Sequence, residues 1–130
     1  MEVNKALVRR HYDEVLTKKD VAVVDELYAA TIDVGDGASM AREQFKAIVS
    51  MMCTAFPDVV VTVQDQVAEG DKVVTRWTAQ ATHQGDFMGV PPTGMRVTVK
   101  AIHIHRIVDG RIAALWEEFD MFGLMQQLGA

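Results

Sequence analysis

Two histidines separated by one residue, His103 and His105, lie in a stretch of alternating apolar residues. Residues two apart on a β-strand point to the same side, so both rings would face one surface. An imidazole can transfer a proton or donate a hydrogen bond near neutral pH. Zinc usually takes at least three protein ligands, and the sequence offers only Glu118 nearby as a third. We therefore predict proton transfer or hydrogen bonding at this site, and no metal.

Further candidates follow from Asp109-Gly110, which is a strong signal for a two-residue turn between strands. This turn would pair Val108 with Arg111, and partners on neighbouring strands point to the same side. The face is apolar with a few ionisable groups, as is typical of a binding pocket. The opposite face is interpreted as a subunit interface, so we expect a homodimer. On the pocket face, the second strand would add Trp116, Glu118 and Asp120.

The elements that would position these residues change from helical to strand periodicity near Pro57. Helices before an antiparallel sheet indicate an α+β fold, with the helices covering one face of the sheet. We expect a short strand over 31–34 and a loop over 85–94 rich in Gly and Pro. The predicted helices cover 2–18, 20–29 and 40–56, and the predicted long strands cover 58–68, 72–84, 95–108 and 111–121.

Length and composition fit one domain, residues 1–130, with 49% hydrophobic residues and a net charge of −5. An acidic chain is a poor partner for nucleic acid or for anionic membranes. No segment approaches the roughly 20 apolar residues of a membrane helix, and residues 1–5 have no apolar signal-peptide run. We expect a cytoplasmic protein. A single cysteine, Cys53, excludes an intramolecular disulfide.

Two motifs resemble those of SnoaL-like polyketide cyclases. Residues 83–94, HQGDFMGVPPTG, resemble the signature H-x-G-x-F-x-G-x-P-P-T-G, and residues 116–129 resemble the tail W-x-x-x-D-x-x-G-L-L-Q-Q-L-G. The resemblance implies a nuclear transport factor 2-like fold, a cone-shaped barrel whose curved antiparallel sheet packs on three N-terminal helices around a cavity. Family members of known chemistry close a polyketide ring by intramolecular aldol condensation, with no metal or organic cofactor. Their acid/base is the Asp of the tail, which corresponds to Asp120.

The predicted function is therefore acid/base-assisted ring closure of a small hydrophobic, polyketide-like molecule. Asp120 would move the proton, and His103 and Tyr12 would stabilise the oxyanion. Tyr12 enters through a second resemblance, to ketosteroid isomerases of the same fold, which carry an oxyanion-stabilising Tyr eight residues before the Asp of the second helix. Tyr12 and Asp20 repeat that spacing. Substrate contacts are predicted at His105, Trp116, Glu118, His83, Phe87, Met88 and Asp33.

Other functions on the same scaffold stay open at this point. Relatives commonly carry an Asp-His pair after the first short strand, whereas this chain has Asp33-Val34-Gly35-Asp36-Gly37 and no His there. The wider family also includes resistance proteins and non-catalytic members, and a shared fold does not determine function. The alternatives are a binding or resistance protein for a hydrophobic metabolite, and an isomerase or hydrolase.

Overall fold

The computed structural model describes residues 2–129 and begins with helices, as predicted. The first helix, α1 (Glu2–Arg10), continues into a π-helical segment (His11–Thr17), and a 3₁₀ turn (Val21–Val23) leads into the short helix α2 (Val24–Leu27). Helix α3 (Arg42–Ala55) ends just before Pro57, because a residue that precedes proline avoids helical geometry. Helix α4 (Met121–Gln127) closes the chain. In the described chain no helix is long and apolar enough to cross a membrane.

Six strands form one open sheet in the order β2-β1-β6-β5-β4-β3. Strand β1 runs parallel to β6, and all other neighbours are antiparallel. The predicted α+β fold, with N-terminal helices and a curved sheet, is confirmed. Strand β2 was not predicted; it folds back on β1 through a turn in which Gly35, Asp36 and Gly37 all have positive φ. The strands are β1 (Tyr28–Gly35), β2 (Ala38–Ala41), β3 (Val60–Glu69), β4 (Lys72–Thr82), β5 (Arg96–Val108) and β6 (Arg111–Phe119).

A β-bulge in β6 changes which side chains reach the inner face of the sheet. Beside the turn, Val108 pairs with Arg111 as predicted, but after Ile107 the register shifts by one residue. His103 therefore lies opposite Glu117 rather than Trp116. Because side chains alternate along a strand, a shift of one residue moves every later side chain to the other face. The predicted inner face is confirmed for β5 and wrong for β6 beyond the bulge.

The two family motifs meet in one apolar cluster. Phe87 from the loop between β4 and β5 packs with Phe56 at the end of α3, and with Leu124 and Leu128 of the tail. The loop reaches α3 closely, since the backbone N–H groups of Gln84 and Gly85 both donate to the carbonyl of Ala55. A Cβ atom at Gly85 would lie 2.6 Å from the carbonyl oxygen of Thr54. Gly85, the first glycine of the loop motif, is thus required by this close approach.

Candidate active site

A cavity of about 480 Å³ lies between α3, the inner face of the sheet and the loop after β4. Cavities of this size hold small organic molecules. The lining is mainly apolar, and its polar side chains are His11, His103 and Glu117, with the indole of Trp77 and the thiol of Cys53. Of the predicted contacts, Phe87 and Met88 do line the cavity; Phe87 is buried and Met88 is exposed.

His103 and Glu117 form the polar centre of the cavity. Nε2 of His103 lies 2.6 Å from Oε2 of Glu117, and His103 is almost wholly buried. On the far side of the ring, the indole N–H of Trp77 donates to Nδ1 across 2.8 Å. An indole nitrogen can only donate, so Nδ1 is the acceptor and the ring proton lies on Nε2. The nitrogen that carries the ring proton is therefore the one in close contact with the carboxylate of Glu117.

The carboxylate of Glu117 keeps one oxygen available to the cavity. Oε2 is the oxygen closest to His103, and within residues 2–129 His103 is the one ion-pair partner of Glu117. About a third of the side-chain surface, 35%, is accessible, and Glu117 is one of the lining residues. A carboxylate held by one oxygen in an apolar cavity can accept a proton from a bound carbon acid through the other.

Tyr12 lies behind His103 and does not line the cavity. Its hydroxyl is 2.8 Å from Nδ1 of His103, and the side chain is fully buried. Burial raises the pKa of the phenol above its ordinary value, so the hydroxyl keeps its proton. The prediction that Tyr12 contacts the substrate oxyanion is corrected, because its hydroxyl is directed at His103. Tyr12 positions the imidazole.

His11 is a second imidazole on the cavity wall. It lies in the π-helical segment, which turns both His11 and the following Tyr12 into the interior. Nδ1 of His11 is 2.9 Å from the hydroxyl of Tyr28. Burial, reinforced by nearby His103, lowers the pKa of His11 to about 3, so the ring is neutral at physiological pH.

Three other predicted contacts lie away from the cavity. His105 is fully buried beside His103, and neither of its nitrogens has a partner among the described residues. His83 is also fully buried, with Nδ1 3.0 Å from the hydroxyl of Thr93, so it fastens the loop. Asp33 is exposed on β1 and accepts the N–H of Gly35 at 2.8 Å. These positions correct the prediction that all three contact the substrate.

The bulge also removes Trp116, Glu118 and Asp120 from the cavity. Glu118 and Asp120 line a shallow depression on the outer face of the sheet, beside Lys100. Asp120 is exposed and caps α4, where Oδ1 accepts the N–H of Gly123 at 2.8 Å. Trp116 is 36% exposed, with the ammonium of Lys72 6.0 Å from its ring centroid. The prediction that these three share the pocket face is therefore wrong.

Sequence reasoning missed three residues of the site: Glu117, His11 and Trp77. The register predicted from the two-residue turn contains no bulge, so it places Glu117 on the outer face of the sheet. His11 had a usable signal, since its helical spacing places it on the apolar stripe of the first helix. Trp77 alternates with Arg76 on β4, and the sequence pattern does not tell which of them faces inward.

The comparisons with known proteins agree with this fold. The SnoaL-like polyketide cyclase family model matches residues 6–128, and the chain belongs to that family. Aklanonic acid methyl ester cyclase DnrD of Streptomyces peucetius is 29% identical over 128 residues, covering 95% of this chain and 88% of that protein. Nogalonic acid methyl ester cyclase of Streptomyces nogalater is 40% identical over 47 residues, 36% of this chain and 35% of that protein. The structure of TsrD from Streptomyces laurentii superposes with a TM-score of 0.90 at 28% identity, covering 99% of this chain and 96% of that one.

Proposed function

We propose that this protein closes a ring of a small hydrophobic polyketide ester by intramolecular aldol addition, with Glu117 as the acid/base. The observation that carries the proposal is the carboxylate of Glu117, held by His103 at 2.6 Å inside a mainly apolar cavity. The names of the related cyclases, which act on aklanonic and nogalonic acid methyl esters, support the substrate class. Glu117 takes the role that the family resemblance suggested for Asp120.

The reaction is a closed sequence of proton and bond transfers. Oε1 of Glu117 removes a proton from a carbon next to a carbonyl, and the electron pair of that C–H bond forms an enolate. The enolate carbon attacks a ketone carbon of the same molecule, so that one C–C bond forms and the C=O π pair moves to oxygen. The resulting alkoxide takes the proton back from Glu117. The product is an isomer of the substrate.

The surroundings of Glu117 favour this sequence in two ways. The close contact with Nε2 of His103 holds the carboxylate, so little reorientation is needed when the proton moves. The apolar walls fold the substrate so that its ends meet. Met88 and Met51 belong to this lining and are both exposed, and their flexible thioethers can adapt to ring systems of different shape.

Turnover of the relatives' substrates tests the proposal. Purified protein is incubated with aklanonic acid methyl ester or nogalonic acid methyl ester. The product is separated by chromatography, and its molecular mass is measured by mass spectrometry. We expect a product of unchanged mass with one carbonyl fewer. Glu117→Gln should lose about 10² to 10⁴ in rate, because a placed acid/base contributes that much. Glu118→Gln, next in sequence but on the outer face, is the matched control and should keep the wild-type rate.

A binding protein for a hydrophobic metabolite is the alternative that the same experiment tests. An apolar cavity alone would serve that function. In that case neither ester would be converted, and Glu117→Gln would bind each ester as tightly as the wild-type protein. That pair of results would overturn the proposed catalytic function.

A further inference from the structure

We infer that His11 donates the hydrogen bond that holds the reacting carbonyl oxygen of the substrate, across the cavity from Glu117. The inference rests on the proposed function, in which an enolate forms at Glu117. Proton removal by Glu117 places negative charge on the carbonyl oxygen, and a fixed donor at that oxygen lowers the barrier. This hydrogen-bond donor has to be a side chain of the cavity lining.

Most polar groups around the cavity are already engaged with one another. Nε2 of His103 is in close contact with Glu117, and both the indole N–H of Trp77 and the hydroxyl of Tyr12 are directed at Nδ1 of His103. The thiol of Cys53 is a weak donor. His11 is the remaining imidazole of the lining.

The proton of His11 lies on Nε2, the ring nitrogen away from Tyr28. The Tyr28 hydroxyl is fully buried, and within residues 2–129 its hydrogen-bond partner is Nδ1 of His11, at 2.9 Å. If Nδ1 carried the proton, the buried hydroxyl hydrogen would have no acceptor, which is unfavourable in the interior. The hydroxyl therefore donates to Nδ1, and the neutral ring carries its hydrogen on Nε2.

Nε2 of His11 is turned to the cavity. Among the described residues, the fully buried side-chain nitrogens without a hydrogen-bond partner belong to Arg42, His83 and His105. Nε2 of His11 is not among them. The residue as a whole is 3% exposed and belongs to the cavity lining. An N–H on this edge has free bonding capacity inside an apolar space, where a hydrogen bond is stronger than in water.

The two imidazoles are neighbours on the cavity lining. The ring centroids of His11 and His103 are 6.2 Å apart, and the planes cross at 86°. A carbon acid next to Glu117 can then direct its carbonyl oxygen to Nε2 of His11. Because the ring is held neutral, it donates without the cost of burying a second charge. The site thus selects ligands that carry a carbonyl oxygen on an apolar ring system.

A matched pair of probes tests this inference without turnover. The ketone 2-acetylnaphthalene can only accept a hydrogen bond, and 2-ethylnaphthalene has the same ring system and a similar size without the oxygen. Wild-type protein should bind the ketone about tenfold more tightly, as expected for one hydrogen bond of about 1.4 kcal/mol. Its carbonyl stretch, followed by infrared difference spectroscopy, should shift to lower frequency than in hexane.

Substitutions at His11 should remove or keep this preference in a defined way. His11→Phe should lose the preference and the infrared shift while keeping its affinity for 2-ethylnaphthalene, which also shows that the cavity is intact. His11→Gln keeps an N–H donor and should retain part of both effects. The inference is wrong if the wild-type protein shows no preference, or if His11→Phe keeps it.

The outcome is separable from that of the proposed function. Glu117→Gln should keep the preference for the ketone, because Glu117 does not donate to it. If His11 controls the preference while Glu117→Gln turns over esters normally, the acid/base proposal fails and the assignment of His11 stands.

Discussion

The indole N–H of Trp77 donates to Nδ1 of His103 across 2.8 Å, with the two ring planes only 22° apart. Because the indole nitrogen can only donate, this contact determines that the proton of His103 lies on Nε2, the nitrogen in close contact with Glu117. Trp77 thus acts on the candidate acid/base through the imidazole, as a positioning residue.

Replacing Trp77 with Phe should remove the hydrogen bond that keeps His103 in a single tautomer. The ring would then populate both tautomers, with only the Tyr12 hydroxyl left at Nδ1. ¹⁵N NMR of the imidazole should show one protonated nitrogen, Nε2, in the wild-type protein and averaged signals in the variant. Turnover should fall roughly tenfold, as for one lost hydrogen bond. Trp116→Phe, on the outer face, is the control, and unchanged imidazole signals in Trp77→Phe would contradict the assignment.

The unpartnered imidazole of His105 should make stability depend on pH. Burial, together with neighbouring His103 and His11, lowers the pKa of His105 well below its ordinary 6.5. The unfolded chain binds a proton at this residue below about pH 6.5 and the folded protein does not, so the free energy of unfolding falls as the pH falls.

His105→Leu should reduce that loss. Between pH 6 and 4 the difference between the two proteins should approach about 1.4 kcal/mol per pH unit, the effect of one proton. At pH 7 the variant should be as stable as the wild-type protein or more stable by about 1 kcal/mol, since buried nitrogens without partners are removed. Urea unfolding at several pH values measures both, and identical pH profiles would speak against a neutral, buried His105.

Asp120 should contribute to stability as a helix cap. Asp120→Ala removes the acceptor for the N–H of Gly123 and should cost about 1 kcal/mol of unfolding free energy. Asp120→Asn should cost much less, since asparagine caps helices as well as aspartate does. Thermal and urea unfolding of the two variants compare them, and equal losses would show that the cap is not the source of the effect.

Packing of the loop motif against α3 should depend on Gly85. Gly85→Ala places a methyl group 2.6 Å from the backbone oxygen of Thr54, so the loop or the helix end must move. Overpacking of this kind costs about 1–3 kcal/mol. The exposed neighbour Gln84→Ala is the control and should change urea unfolding little. A Gly85→Ala protein as stable as the wild type would mean that the close approach is easily relieved.

The sequence predicts the fold and the inner face of β5, but not the inner face of β6 beyond the bulge. The reason for this difference is local. Alternation along β5 places His103 inward, because the charged residues Arg96, Lys100 and Arg106 all fall on the other face. At the bulge, β6 reads Ile112-Ala113-Ala114, and small alanines pack on either face, so the pattern does not indicate a shift of register. The role of His11 depends on its contact with Tyr28 on another element, which spacing along one helix cannot predict.

Deuterium uptake tests the central claim, that Glu117 moves the substrate proton, most directly. Aklanonic acid methyl ester is incubated in D₂O with wild-type protein, Glu117→Gln or Asp120→Asn, and exchange at the carbon next to a carbonyl is followed by NMR before ring closure is complete. We predict that Glu117→Gln slows exchange by about 10² or more while Asp120→Asn exchanges at the wild-type rate. Slow exchange in Asp120→Asn together with normal exchange in Glu117→Gln would contradict the account and return the acid/base to the tail aspartate.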